Sequence, residues 1–112
     1  MRDSSFDYTF GAADTKNLEL ILTFDKMVEF LKVLTQATAT VNSVSFSPDG
    51  NYIAYGDRDD NVYIHSTSTW ALEETLTQAT SSVISVSFSP DGNYIAYGSS
   101  DDNVYVEDTL FG

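Results

Sequence analysis

Apolar and polar residues alternate over Val41-Asn-Ser-Val44-Ser-Phe46 and again over Val83-Ile-Ser-Val86-Ser-Phe88, and each run stops at Ser-Pro-Asp-Gly. A period of two with β-branched residues predicts a strand, which we label a. Pro presets φ near −65° and Gly accepts the left-handed position, so Pro-Asp-Gly predicts a hairpin turn. A second strand, b, follows over Asn51–Gly56 and Asn93–Gly98. The polar turns Asp57-Arg-Asp-Asp60 and Ser99-Ser-Asp-Asp102 then lead into strand c, Asn61–His65 and Asn103–Glu107. After Ser66-Thr-Ser-Thr69 a fourth strand, d, is expected over Trp70–Thr77, joined through Gln78–Ser82 to the next strand a.

The two patterns are copies. Leu34–His65 and Leu76–Glu107 share 25 of 32 residues at a spacing of 42. Periods of about 40–50 residues belong to propeller blades or helical repeats, and the strand pattern selects the first. Alone, Asp25-Lys-Met-Val-Glu-Phe-Leu-Lys-Val-Leu34 fits a short amphipathic helix with an Asp cap. Its alignment with Trp70–Thr77 assigns Val28–Thr35 to strand d instead. Upstream, Phe6–Gly11 resembles Asn51–Gly56, and Asn17–Ile21 takes the place of Asn61–His65. The expected organisation is a degenerate partial blade of strands b and c over 1–26, one repeat over 27–68 and a second over 69–112.

The wording Val-x-Ser-Val-x-Phe-Ser-Pro-Asp-Gly-x-Tyr-Ile-Ala-x-Gly, followed by Ser-Ser-Asp-x-x-Val-x-Val-x-Asp in the second copy, resembles WD40 repeats across roughly residues 27–108. The resemblance implies an all-β fold of WD40-like β-propeller blades, each a four-stranded antiparallel meander, with an incomplete propeller in one chain. It also implies a protein-interaction platform rather than an enzyme. The family's Gly-His before strand a is replaced by Gln36-Ala37 and Gln78-Ala79, and its Trp-Asp after strand c by His65-Ser66 and Glu107-Asp108. Of the hydrogen-bonded Asp, His, Ser/Thr and Trp network typical of a blade, Asp59 and Asp101 match; Tyr55 and Tyr97 replace the small hydroxyl residue. The Ser-Pro-Asp-Gly-x-x-Ile-Ala-Tyr wording is also similar to the propeller repeats of periplasmic TolB-like proteins.

Composition adds one strong constraint. Seventeen acidic residues against five basic give a net charge of −12, which opposes nucleic-acid binding because affinity for phosphates depends on Lys and Arg. The acidity fits attraction of a basic partner or adaptation to high salt, where self-repulsion is screened. A hydrophobic share of 42% with 13% aromatic residues argues for a folded chain. Cysteine is absent, which removes disulfides and thiolate metal sites. No apolar run approaches the ~18 residues of a membrane span, and no secretory leader is visible at the N-terminus, so a cytoplasmic location is expected.

Candidate chemistry is sparse. Asp57, Asp59 and Asn61 mimic the first three ligands of a calcium loop, but Val62 and Ser68 stand where an EF-hand has Gly and Glu. His65 is the single histidine and has no equivalent in the other copy, so it is expected at a strand end. Trp70 and the six repeated tyrosines, Tyr52, Tyr55, Tyr63, Tyr94, Tyr97 and Tyr105, are expected to pack within and between blades. No nucleophile elbow or phosphate loop is present, so no catalysis and no cofactor are expected. In a meander the b–c and d–a loops share one end. That end carries Asp57, Arg58, Asp59, Asp60, Ser99, Ser100, Asp101 and Asp102, with Gln36 and Gln78 beside them, and is the expected face for a basic protein partner. Because about two and a half blades leave apolar faces uncovered, head-to-tail self-association into a trimer or tetramer is expected. The alternative is a structural assembly unit, or part of a longer propeller, without a binding role of its own.

Overall fold

The computed structural model describes residues 28–109 and divides the chain into two units, 1–33 and 34–112. The second unit holds seven strands: β1 (Val41–Phe46), β2 (Tyr52–Asp57), β3 (Val62–Ser66), β4 (Leu72–Leu76), β5 (Val83–Phe88), β6 (Tyr94–Ser99) and β7 (Val104–Asp108). They form a four-stranded sheet in the order β1-β2-β3-β4 and a three-stranded sheet β5-β6-β7, with every pair antiparallel. Strands a, b and c of both copies therefore form where alternation places them, with b and c displaced by one residue. The partial blade expected over 1–26 lies outside the described residues.

Both Ser-Pro-Asp-Gly turns close in the same way. Gly50 and Gly92 adopt φ of +78°, the left-handed region that L-residues avoid. Ser47 Oγ accepts the Tyr52 amide at 3.0 Å and donates to Asp49 Oδ1 at 2.8 Å, while Asp49 Oδ1 also accepts the Asn51 amide. Ser89, Asp91, Asn93 and Tyr94 repeat the arrangement. These bonds favour the charged form and hold the Asp49 and Asp91 carboxyls below their usual pKa.

Two expected strands differ. Trp70 does not begin strand d: it has φ of 63° and closes the preceding turn, its amide bonded to Ser66 O, so β4 starts at Leu72. Val28–Thr35 forms no strand. A strand d is held by its neighbouring strand c, as β3 holds β4. The segment expected to serve, Asn17–Ile21, lies outside the described residues. Val28, Phe30, Leu31 and Val33 are all exposed.

The core lies between the two sheets. Each sheet has a face of small and slender residues and a face of large ones. On the first sheet the register places Ser45, Ala54 and Ile64 in one row and Gly56 beside Val62, whereas Val44, Tyr55 and Tyr63 point the other way. The second sheet turns its large face, Val86, Ile95 and Tyr97, onto the small face of the first, and Ala54, Val62, Ile64, Leu76, Ala79 and Val83 complete a buried cluster. A bulge between Val83 and Ser85 re-aims β5 so that Val83 also faces inward. Gly56 lets the sheets approach: a Cβ there would lie 2.3 Å from Val83 Cγ1 and 2.9 Å from Val83 Cβ. Gly56→Ala is therefore expected to destabilise the fold by about 1–3 kcal/mol through overpacking, read as a lower urea midpoint.

Candidate functional site

The b–c and d–a loops of each blade meet at one end and are bonded together there. The Arg58 amide donates to Thr40 O, and the Ser100 amide to Ser82 O. Ser82 Oγ reaches across to Arg58 O, linking the two blades at that end. Asp60 and Asp102 take φ of 74° and 76°, a conformation that Asp tolerates better than most residues, and this folds the b–c turns.

A carboxylate braces each blade from this end, and the two blades supply it from different positions. In the second blade Asp101 accepts bonds from the Thr80 amide at 2.9 Å, the Thr80 hydroxyl at 2.9 Å, the Asn103 amide at 3.0 Å and the Tyr105 hydroxyl at 2.5 Å. In the first blade Asp57 receives the equivalent donors: the Thr38 amide at 3.2 Å, the Asn61 amide at 3.3 Å and the Tyr63 hydroxyl at 3.2 Å. Asp57 also accepts the Asp59 amide and is fully buried. Asp59, the positional equivalent of Asp101, takes the Thr38 hydroxyl and remains exposed. Ser99, at the position of Asp57, is buried and donates to Ser81 O.

The residues expected at a partner face therefore divide by environment. Asp57 and Ser99 are buried, and Asp101 is half-buried with its oxygens engaged by the loop. Arg58, Asp59, Ser100 and Asp102 are exposed and Asp60 is half-buried, with exposed Gln36 and Gln78 on the adjoining loops. Within the calcium-like trio, the Asp57 carboxylate is occupied by protein donors. Among the described residues no group of three or more His, Cys, Asp or Glu side chains is placed to hold a metal ion.

Inside the blades, two departures from the family pattern prove to be partners. The Tyr55 hydroxyl lies 2.9 Å from His65 Nε2, the rings stacked at 5.4 Å, and His65 Nδ1 lies 3.1 Å from Trp70 O. Tyr97 donates to Glu107 Oε2 at 2.5 Å. Burial, and then the Glu107 carboxylate, raise the Tyr97 phenol above its usual pKa; burial does the same to Tyr55. His65 lies next to the last residue of β3, near the strand end expected for it, and is buried. Sequence reasoning placed these residues separately and missed the pairing. Its signal was the coincidence of a Tyr at 55 and 97 with a polar residue, His or Glu, at 65 and 107. At the opposite end, a cleft of about 270 Å³ lies between the Ser-Pro-Asp-Gly turns, lined by Pro48, Tyr52, Phe88 and Gly92 among others.

Antiparallel meanders stacked face to face, with β5 against β1 and β2, define the blades of a β-propeller repeat protein. The family model described as WD domain, G-beta repeat matches residues 28–66 and 70–106, more than half of the chain. The chain belongs to the WD40-repeat family, whose members are generally non-enzymatic scaffolds for protein–protein contact. No curated protein matches it.

The shifted brace makes a specific prediction. Asp57→Ser leaves Asp59 able to assume the role that Asp101 has beside Ser99, so stability should fall by less than about 1 kcal/mol. Asp57→Ser with Asp59→Ala removes both carboxylates and should cost about 3 kcal/mol, a non-additive loss visible in urea unfolding. Asp101 carries its own pH signature. The Tyr105 hydroxyl, then the Thr80 amide, hold its pKa well below the usual carboxylate range. Its contribution is then complete above the unfolded value near 4 and is lost as pH falls through the lower folded value. The stability gap between the wild type and Asp101→Asn should be constant at neutral pH and shrink progressively below about pH 4.

Proposed function

We propose that this protein is a non-enzymatic interaction scaffold, completed by head-to-tail association of copies, with the acidic loop end receiving a basic protein surface. One observation supports the assembly most directly: the blade-to-blade packing inside the chain leaves both of its outer faces carrying the residues that such packing uses. Val41, Val44 and Phe46 are the repeat equivalents of Val83, Val86 and Phe88, yet they are exposed, and so are Val104 and Val106, the equivalents of buried Val62 and Ile64. Propellers close with about 4–8 blades, so three or four copies of a two-blade chain suffice. A cytoplasmic setting is part of the same proposal.

The loop end supports the partner. Asp59, which accepts the Thr38 hydroxyl, stands with Asp60 and Asp102 on turns that the Asp57 and Asp101 carboxylates hold in place. Charges of this type steer encounter and register more than they add affinity. A panel of Lys/Arg-rich peptides titrated against the assembled protein should show binding that weakens steeply with salt. Asp59→Asn, Asp60→Asn and Asp102→Asn together should weaken it about tenfold, from three surface ion pairs at about 0.5 kcal/mol each. Peptide binding indifferent both to salt and to the triple variant would remove the acidic end from the proposal.

A further inference from the structure

The segment that covers the first blade is 72–88, which runs from β4 through the d–a loop to the end of β5. β4 pairs with the edge of β3 in the register Val62↔Leu76, Tyr63↔Thr75, Ile64↔Glu74, His65↔Leu72, and β5 lies on β1 and β2. The second blade has no such cover among the described residues. Among the described residues β7 pairs only with β6, Val104 and Val106 are exposed, and the space over Gly98 is empty for at least 4 Å where Gly56 is filled by Val83.

The chain carries the repeat equivalent of this cover at residues 30–46. Leu34, Thr35, Gln36, Ala37, Thr38, Val41, Ser43, Val44, Ser45 and Phe46 are identical to their counterparts 42 residues later. Within its own molecule β1 is already the first strand of the first blade, so 30–46 reaches the second blade only from another copy. We propose that residues 30–46 of a second copy cover β6 and β7 of the first in the register that 72–88 uses on β2 and β3. This rests on the self-association proposed above and assigns its interface.

The placement is specific. Phe30–Leu34 becomes the fourth strand of the second blade, with Leu34 opposite Val104, Val33 opposite Tyr105, Lys32 opposite Val106 and Phe30 opposite Glu107. Edge pairing of this kind satisfies the amides and carbonyls of β7 that are unpaired among the described residues. Lys32 replaces Glu74 of the internal pair and arrives beside Glu107 and Asp108, so charge favours the exchange. Val41 occupies the space over Gly98, as Val83 does over Gly56. Of the hydrogen bonds that cross between the blades, Val86 N to Ser43 Oγ at 3.1 Å has an equivalent in Val44 N to Ser85 Oγ, and Ser82 Oγ to Arg58 O has one in Thr40 Oγ1 to Ser100 O. A third, Asn42 Nδ2 to Val83 O at 2.8 Å, has none, because Ile84 stands at that position. The contact between copies is thus weaker than the internal one by one hydrogen bond, and Ile84→Asn should tighten it.

Gly98 permits a test that spares the fold. It lies outside the left-handed φ region, and an added Cβ meets nothing in the single chain. By light scattering at micromolar concentration the wild type should exceed the 12.3 kDa chain mass at least twofold. Gly98→Val should fall to the chain mass with unchanged circular dichroism, and Val44→Asp should do the same from the other face. Mixing the two variants should restore a dimer and nothing larger, because each retains one working face and the contact is head-to-tail. An assembled Gly98→Val protein, or variants that do not dimerise on mixing, overturns the assigned interface while leaving association intact. A monomeric wild type overturns association itself. The chain has no cysteine, so Lys32→Cys and Val106→Cys introduced in separate copies report the strand register. A disulfide-linked dimer forming in the mixture, and in neither variant alone, is the expected result.

Discussion

The close approach of β5 to the first sheet at Gly56 is the constraint on which the rest of the structure depends. Val83 fills the space that a side chain at residue 56 would need, and Val86 lies just beyond it. That contact brings the large face of one sheet onto the small face of the other, which buries Ile95 and Tyr97 over Ala54, Val62 and Ile64. Neither sheet contains a core of its own. A meander of about 35 residues has too little interior to fold alone, and it becomes stable by burying a face against its neighbour. Stability in this chain is therefore a property of the contact between blades more than of either blade.

The same dependence explains the polar architecture. Once two sheets are pressed together, the loops at their ends must be held so that the strand edges stay aligned. Each blade ties its d–a loop to its b–c turn with a carboxylate that collects the Thr amide, the Asn amide and the Tyr hydroxyl. The family's usual network is absent from most of its positions, and its mechanical task is carried by these carboxylates and by the pairs Tyr55–His65 and Tyr97–Glu107. Placing a buried acceptor two residues earlier in the first blade exchanges a serine for an aspartate without altering which donors are satisfied. A buried carboxylate with several protein donors is stable where an isolated one is not.

Function follows from what is left over. The bracing carboxylates are used up by the fold, and Asp59 and Asp102 are the exposed carboxylates of the b–c turns. Likewise each valine that packs between the blades, Val62, Val83 and Val86, has one exposed repeat equivalent, Val104, Val41 and Val44. On the reading proposed above, a repeat whose period encodes an interface presents it again on the outer faces of its blades.

Much of this architecture is legible in the residues alone. Alternation in β1 and β5, the Pro-Asp-Gly turns and the 42-residue period place the strands a, b and c and the family, because these are local signals written in turn chemistry and periodicity. The sequence also identified the loop end where the carboxylates gather. What the tertiary structure alone decided is which of those carboxylates is buried, since Asp57 and Asp59 are alike in type and differ in that the Thr38 amide, the Asn61 amide and the Tyr63 hydroxyl converge on Asp57. It decided that Trp70 closes a turn and does not open a strand, because a backbone at positive φ leaves no mark in a pattern of apolar residues. It left Val28–Thr35 without strand structure, although the pattern matches that of β4. A strand exists by virtue of its hydrogen-bonded neighbour, and the neighbour is a fact of space that sequence periodicity does not contain.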